Sequence, residues 1–366
     1  MALKILFVGN YASPLHNIRP EAEMIIGLKQ RGHAVEVMTR RDCYYAERMA
    51  QFGIPIHDHL PARKFSLQSI RRLRKVLRDG AFDIVQLFNN KAIVAGVLGA
   101  LGLPVKVVTY RGQTGNISRF DPAAYLTHLN PRVDAIICVA DAVRHSLEKE
   151  VRDPSMLVTI YKGHDLAWYE GIQRADLTAF GIPRDAFVVA CVANNRPRKG
   201  VPVLIEAAHQ VPAASRIHFL LIGGGMDTAD MRRLVGQGPA KDRLHLLGHQ
   251  EQVLPLVAAS NATVLPSLRR EGLPKTVIES MALAVPPIAT ATGGSPELVE
   301  DGVSGLIVQP GSSGELAAAI ARLQADPEAA RRMGQAARDR IATHFNIRDS
   351  IEAHERLFLA LAGKPG

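Results

Sequence analysis

The chain has 366 residues, enough for two domains of ordinary size, and its 47% hydrophobic and 22% charged residues are the balance of a globular protein. A formal net charge of +9 calls for anionic partners: nucleic acid, anionic lipid or phosphorylated small molecules. Aromatic residues at 5%, a single Trp168 and the absence of zinc-finger or RNA-binding signatures argue against nucleic acid. Cys43, Cys138 and Cys191 share no metal-ligand spacing, which predicts small buried thiols in a reducing compartment. No apolar run reaches bilayer-spanning length, and the first residues lead straight into a strand. The expectation is a cytoplasmic chain without signal peptide or membrane anchor.

In chain order, Leu3–Val8 reads as a buried strand, Pro20–Gln30 as a helix and Ala34–Met38 as a second strand. A helix is predicted over Ser66–Asp79, with Ile70, Leu73 and Leu77 on one side and Arg71, Arg72, Arg74, Lys75 and Arg78 elsewhere. Strand-length apolar runs follow at Phe82–Leu87, Val105–Thr109 and Ala135–Val139. Residues 164–183, with Gly171 and Gly181, lose the pattern and read as a linker. A second series then begins: strands Phe187–Val192, Ile217–Ile222, Leu244–Leu247, Ala262–Leu265 and Pro287–Ala289, with helices between. The last helices are Pro327–Ala342 and Ile347–Leu361. Strands apolar throughout, rather than alternating, suit parallel sheets covered on both faces. The predicted architecture is α/β: two Rossmann-like, doubly wound parallel-sheet domains, 1–165 and 166–345, facing a cleft, with the terminal helix (about 346–366) packing back on the first.

The strongest motif is Leu265 to Ala282, where a strand ends, a glycine-bearing loop follows and a helix begins near Pro274. Backbone amides at Gly272, Leu273, Pro274, Lys275 and Thr276 fall at or before that helix start, where its dipole favours a phosphate; Pro274 itself has no N–H to give. Glu271 in the loop and Glu279 in the helix are separated by seven residues, so one carboxylate can approach a sugar while the other accepts from a ribose. The competing reading of either glutamate alone is a solvated surface charge. A second motif, Ala193 to Gly200, puts Arg196, Arg198 and Lys199 after a buried strand, where cations stabilise a departing phosphate. Of the three, Arg198 reads as an ordinary surface cation. Gly223, Gly224 and Gly225 follow the next strand and let backbone approach a nucleotide, and Gly248-His249 ends the one after.

Glu-x7-Glu within EGLPKTVIESMA, followed by TGGSPELVEDGVSGLIV, resembles the donor half of the family-four GT-B glycosyltransferases. The resemblance is close over the C-terminal domain and looser over the N-terminal one. It implies that Glu271 contacts the transferred sugar, Glu279 the ribose, and residues 272–276 the diphosphate, with His249 and Gly248 near the base. It also implies a retaining transfer in which the donor phosphate helps take the proton. No Asp-x-Asp motif stands at a strand end, so the expectation is no metal and no cofactor beyond the nucleotide-diphosphate sugar. The family pattern of Arg, four residues, Lys and Gly is matched by Lys199-Gly200, but Asn194 takes the place of the Arg. Arg196 is expected to supply the missing charge as a catalytic partner of Lys199 and Glu271.

On the N-terminal side the family's glycine-rich loop is reduced to Gly9, and Arg111 stands where the family commonly has His. Arg111 cannot act as a base at neutral pH but suits a phosphate or carboxylate. With His16, Arg19 and Arg119 it predicts an anionic or lipid-linked glycan acceptor, in envelope polysaccharide or lipopolysaccharide synthesis by family analogy. The basic helix Ser66–Asp79 fits peripheral contact with the inner face of a membrane, or an ordinary solvated face. Alternatives are a catalytically silent nucleotide-sugar-binding protein, suggested by Asn194, or another GT-B enzyme such as a sugar-nucleotide epimerase.

Overall fold

The computed structural model describes residues 1–12 and 15–364, with the side chains of residues 15–17 and 213 left outside the description. The chain divides into two compact units, Met1–His164 with Phe345–Gly366, and Asp165–His344. Among the described residues, the first unit holds β1 (Lys4–Val8), β2 (Ala34–Thr39), β3 (Ile56–Asp58), β4 (Ile84–Leu87), β5 (Lys106–Arg111), β6 (Ala135–Cys138) and β7 (Leu157–Thr159). They form one sheet in the order β3-β2-β1-β4-β5-β6-β7. The second unit holds β8 (Phe187–Val192), β9 (Ile217–Ile222), β10 (Leu244–Gly248), β11 (Ala262–Leu265), β12 (Pro287–Thr290) and β13 (Leu306–Val308), ordered β10-β9-β8-β11-β12-β13. Every pairing is parallel, for example Ile5 with Val35 and with Ile84, and Val189 with Phe219.

Ile5, Leu6, Phe7 and Val8 are all fully buried, as are Val189, Ala190 and Cys191 in β8. A strand apolar on both faces demands helices on both sides of the sheet, which is why these runs pair in parallel. Strand order reverses between β1 and β4 and between β8 and β11, so each unit has a crevice at the carboxyl ends of its central strands.

Three strands were not expected from the sequence: β3, β7 and β13. Each has three residues and stands at a sheet edge, where solvent on one side relaxes the demand for an apolar run. The first helix runs Leu15–Gln30 and contains Pro20 rather than starting at it. The buried Ile18, one turn before Ala22, extends the apolar face and outweighs the bond lost at Pro20. The segment expected as a linker is built structure. Two short 3-10 turns, Leu166–Tyr169 and Leu177–Phe180, carry Tyr169 onto Leu254 and Ala282, and Ile182 onto Val188 and Ala190.

The terminal helix Ile347–Leu361 packs within the first unit against the helix Leu15–Gln30. Gly27 makes room for it, since a Cβ there would stand 2.3 Å from Ile351 Cδ1. Phe358 is fully buried with its ring centroid 6.2 Å from that of Phe7. At the other end His164 N–H donates to Phe345 O at 2.7 Å, and Ile347 N–H to His164 O at 3.0 Å.

Candidate active site

The site of the second unit is assembled from two turns at its strand-order reversal. After β8, residues 193–200 form a turn whose last part, Pro197–Lys199, is a single 3-10 turn ending at Gly200 in left-handed backbone (φ +66). A Cβ at Gly200 would lie 2.0 Å from Pro266 O, so only glycine lets this turn lie against the loop after β11. The contact is sealed by Leu268 N–H donating to Arg198 O at 2.8 Å.

That loop presents Glu271, which is only 5% exposed. Lys199 Nζ donates to Glu271 Oε1 at 2.7 Å, and Ser267 Oγ donates to the same oxygen at 2.6 Å. Arg198 Nη1 stands 3.8 Å from it. All three converge on Oε1 and Oε2 takes part in none of these contacts. A buried carboxylate is tolerable only when paired and hydrogen-bonded, and here it has both. The loop is held from behind by the segment after β12. Thr290 Oγ1 donates to Ser267 O at 2.6 Å, and Gly294 N–H to Gly272 O at 2.7 Å. Gly293 (φ +53) lies so close that a Cβ would be 2.3 Å from Glu271 O.

The helix Lys275–Ala282 follows, with Pro274 as its N-terminal cap residue. Gly272, Leu273 and Pro274 are buried, and Lys275 and Thr276 are half-buried at its start. Glu279 is 6% exposed and pairs with Lys275 Nζ at 2.8 Å, one turn back.

Beside this, the ends of β8, β9 and β10 are tied together. Asn194 Oδ1 accepts from Gly224 N–H at 3.1 Å, and Gly223 N–H donates to Gly248 O at 2.7 Å. Gly223 (φ +140) leaves 2.1 Å between a Cβ and Ala193 O, so glycine is required there by backbone packing. His249 is exposed.

The structure thus brings Lys199, Glu271 and Ser267 together, with Lys275 and Glu279 paired on the adjoining helix. Arg196, expected to join Lys199, is exposed, and the cation that approaches Glu271 is Arg198. The 3-10 turn explains the exchange: it carries residue 198 toward the loop after β11 and leaves 196 at its outer start. Ser267 and Gly293 were not singled out from sequence. The short spacing of Ser267 before Glu271, at the end of an apolar strand, was the available signal for the first.

Gly9 and the acceptor-side expectations fall in the first unit. Gly9 closes β1 beside the buried ring of Tyr11, whose Cε2 would lie 3.0 Å from a Cβ. Arg111 ends β5, is 7% exposed, and donates through Nη2 to Gly115 O, while its Nε has no hydrogen-bond partner among the described residues. Burial pushes its pKa down. Next to it His128 bonds Thr109 Oγ1 at 2.9 Å through Nδ1, and burial, helped by the Arg111 charge, lowers its pKa to about 3. Arg119 is exposed, its guanidinium 5.1 Å from the Phe120 ring centroid. Arg19 is half-buried in the helix Leu15–Gln30, and the side chain of His16 lies outside the described residues. Among the described residues no three His, Cys, Asp or Glu side chains converge as a metal site.

The family model described as "Glycosyl transferases group 1" matches residues 173–340, and "Glycosyltransferase Family 4" matches residues 22–168. N-acetyl-alpha-D-glucosaminyl L-malate synthase of Bacillus anthracis is 28% identical over 225 residues, 60% of this chain and 59% of that protein's length. A UDP-Gal:alpha-D-GlcNAc-diphosphoundecaprenol alpha-1,3-galactosyltransferase of Escherichia coli is 25% identical over 80% of this chain and 79% of its own. The crystal structure of HepE from Anabaena in complex with UDP has the same fold, with a TM-score of 0.79 and 20% identity over 98% of this chain and 100% of that one. With both units accounted for by these matches, the chain belongs to family four of the glycosyltransferases and has the GT-B fold.

Proposed function

We propose that the chain transfers a sugar from a nucleotide-diphosphate donor to an acceptor hydroxyl with retention of anomeric configuration. The observation that carries it is the Glu271 carboxylate held by Lys199 and Ser267 immediately before a helix whose next buried acid is Glu279. In the transfer the acceptor oxygen attacks the anomeric carbon and the bond from that carbon to the diphosphate oxygen breaks. Its electron pair stays on the diphosphate, which also receives the acceptor's proton. Lys199 and the amides at the start of the helix Lys275–Ala282 stabilise the charge that develops there. Those groups take over the part a metal ion plays elsewhere, so the reaction needs no divalent cation and no further cofactor.

UDP is the nucleotide to test first, because the Anabaena neighbour was solved with UDP and the Escherichia coli relative is named for a UDP-sugar. The acceptor carries an anionic group. Arg111 supports this: a buried guanidinium with no carboxylate partner among the described residues is costly unless a ligand anion compensates it. A lipid-linked acceptor in envelope or lipopolysaccharide glycan synthesis fits that chemistry, alongside relatives including a lipopolysaccharide core glycosyltransferase of Rhizobium meliloti.

The test is a thermal-shift screen against UDP-, GDP-, ADP- and CMP-linked sugars, followed by donor turnover in excess chelator. One nucleotide-diphosphate sugar should raise the melting temperature and be consumed without metal. Lys199→Ala and Glu271→Gln should each lose at least about 100-fold in kcat, the scale of a lost transition-state contact. Undiminished turnover in both variants ends the proposal, and loss of all turnover with chelator ends its metal-free form.

A further inference from the structure

Asn194 stands where the family pattern has an arginine, and the structure commits it to another task. Its Oδ1 accepts from Gly224 N–H at 3.1 Å, while Asn195 donates from its backbone to Gly224 O at 2.9 Å and from Nδ2 to Gly225 O at 3.1 Å. An amide braced in this way locks the glycine turn after β9 and adds no positive charge. The second cation beside Lys199 must come from elsewhere, and Arg196 is exposed at the outer start of its turn.

Arg198 is placed differently. It is half-buried, with Nη1 3.8 Å from Glu271 Oε1 and donating to Arg270 O at 3.0 Å. Its backbone is fixed by Leu268 N–H, and the glycine two residues on allows the whole turn to press against the loop after β11. The accepting carbonyl belongs to Arg270, a non-glycine residue in left-handed backbone (φ +63), a conformation retained where the surroundings impose it. Two cations therefore converge on one carboxylate oxygen, and a single negative charge cannot neutralise both. Arg198 has further N–H groups beyond the one on Arg270 O, in a planar fork suited to phosphate oxygens.

We propose that Arg198, not Arg196, is the second diphosphate-binding cation of this enzyme, taking the role that Asn194 has vacated. The inference rests on the donor-site reading above. Arg198 and Lys199 hold the oxygens on which the leaving electron pair and the acceptor's proton arrive.

The experiment titrates the full chain calorimetrically with UDP, GDP, ADP and thymidine diphosphate, each against its monophosphate. The wild type prefers one diphosphate over its monophosphate. Arg198→Ala should weaken that diphosphate by roughly 10- to 100-fold, the scale of one charge-assisted hydrogen bond, and leave the monophosphate within about twofold. Arg198→Lys should recover part of the loss. A purely structural role for Arg198 would weaken both nucleotides alike. Retention of the diphosphate preference in Arg198→Ala, or its loss in Arg196→Ala instead, overturns the inference while leaving the donor site standing. If the wild type prefers no diphosphate at all, the donor-site reading falls and takes this inference with it. Should Arg198→Ala fail to fold, Arg198→Gln keeps a donor for Arg270 O without the charge and is read the same way.

Discussion

Glu271 Oε1 receives Lys199 Nζ at 2.7 Å and Ser267 Oγ at 2.6 Å, so two donors fix the rotation of one carboxylate. Ser267 is fully buried and has its own backbone carbonyl anchored by Thr290, which makes it a rigid support. Ser267→Ala removes the hydroxyl and leaves Lys199 Nζ at 2.7 Å and the more distant Arg198 Nη1 at 3.8 Å to hold the carboxylate. A hydrogen bond to a charged group contributes about 1.5–3 kcal/mol, which corresponds to a kcat reduced roughly 10- to 100-fold if Glu271 must be aimed to act. The KM for the donor should change by less than about threefold, since the proposed diphosphate contacts are untouched. Steady-state kinetics on the variant separates the two, and a change confined to KM contradicts an aiming role. Glu271, Glu279 and Lys199 were legible from residue type and spacing because a loop and a helix start display them in sequence. Ser267 and Arg198 were not, since Ser267 gains its significance from an anchored loop and Arg198 from its contact with Arg270 O, 72 residues further along the chain.

The helix Leu67–Gly80 shows how a pattern can be right and still leave its purpose open. Ser66 caps it by accepting from Ser69 N–H, and Leu73 and Leu77 are buried while Arg71, Arg72, Arg74, Lys75 and Arg78 are exposed. Periodicity located this element to within a residue, because a buried stripe and a charged face are both visible in sequence. It could not show that Phe65 and Leu67, at the helix entrance, are 58% and 70% exposed. Apolar side chains beside a basic face match the chemistry of an anionic bilayer surface, the peripheral contact that the sequence left as one of two expectations for this helix. Among the described residues no helix is long and apolar enough to cross a membrane. Sedimentation with vesicles containing anionic lipid should pull down the wild type at low salt. A variant with Arg71, Arg72 and Lys75 changed to Gln should bind at least tenfold more weakly, at about 1 kcal/mol for each charge. Equal binding of the variant, or equal binding to neutral vesicles, removes the helix as a membrane contact. The strands missed from sequence fail for the opposite reason: β3, β7 and β13 are too short to carry a period at all.

At the scale of the whole chain, each unit has its own sheet, and the first is completed only by the terminal helix. That helix contributes His354, and the loop before β6 contributes His128, two imidazoles buried in the same unit. Burial lowers both below the ordinary value of 6.5, His354 to about 4 and His128 to about 3, with Arg111 adding to the latter. The folded chain therefore keeps both neutral in a range where the unfolded chain takes up protons. The sign follows directly: stability is full above about pH 6.5 and is lost as pH falls below it, because the unfolded state binds more protons. Between pH 7.5 and 5.5 each histidine should remove about 1.4 kcal/mol from the stability of the first unit. Urea unfolding of the full chain at the two pH values measures the sum, read on the transition of that unit. His128→Gln and His354→Gln should each make the pH-dependent loss smaller by about 1.4 kcal/mol, whatever they do to absolute stability. Their effects should add, because among the described residues the two side chains share no hydrogen-bond partner. A loss of the same size in the double variant as in the wild type would place the acid sensitivity in other groups and show that these two imidazoles do not stay neutral as the pH falls.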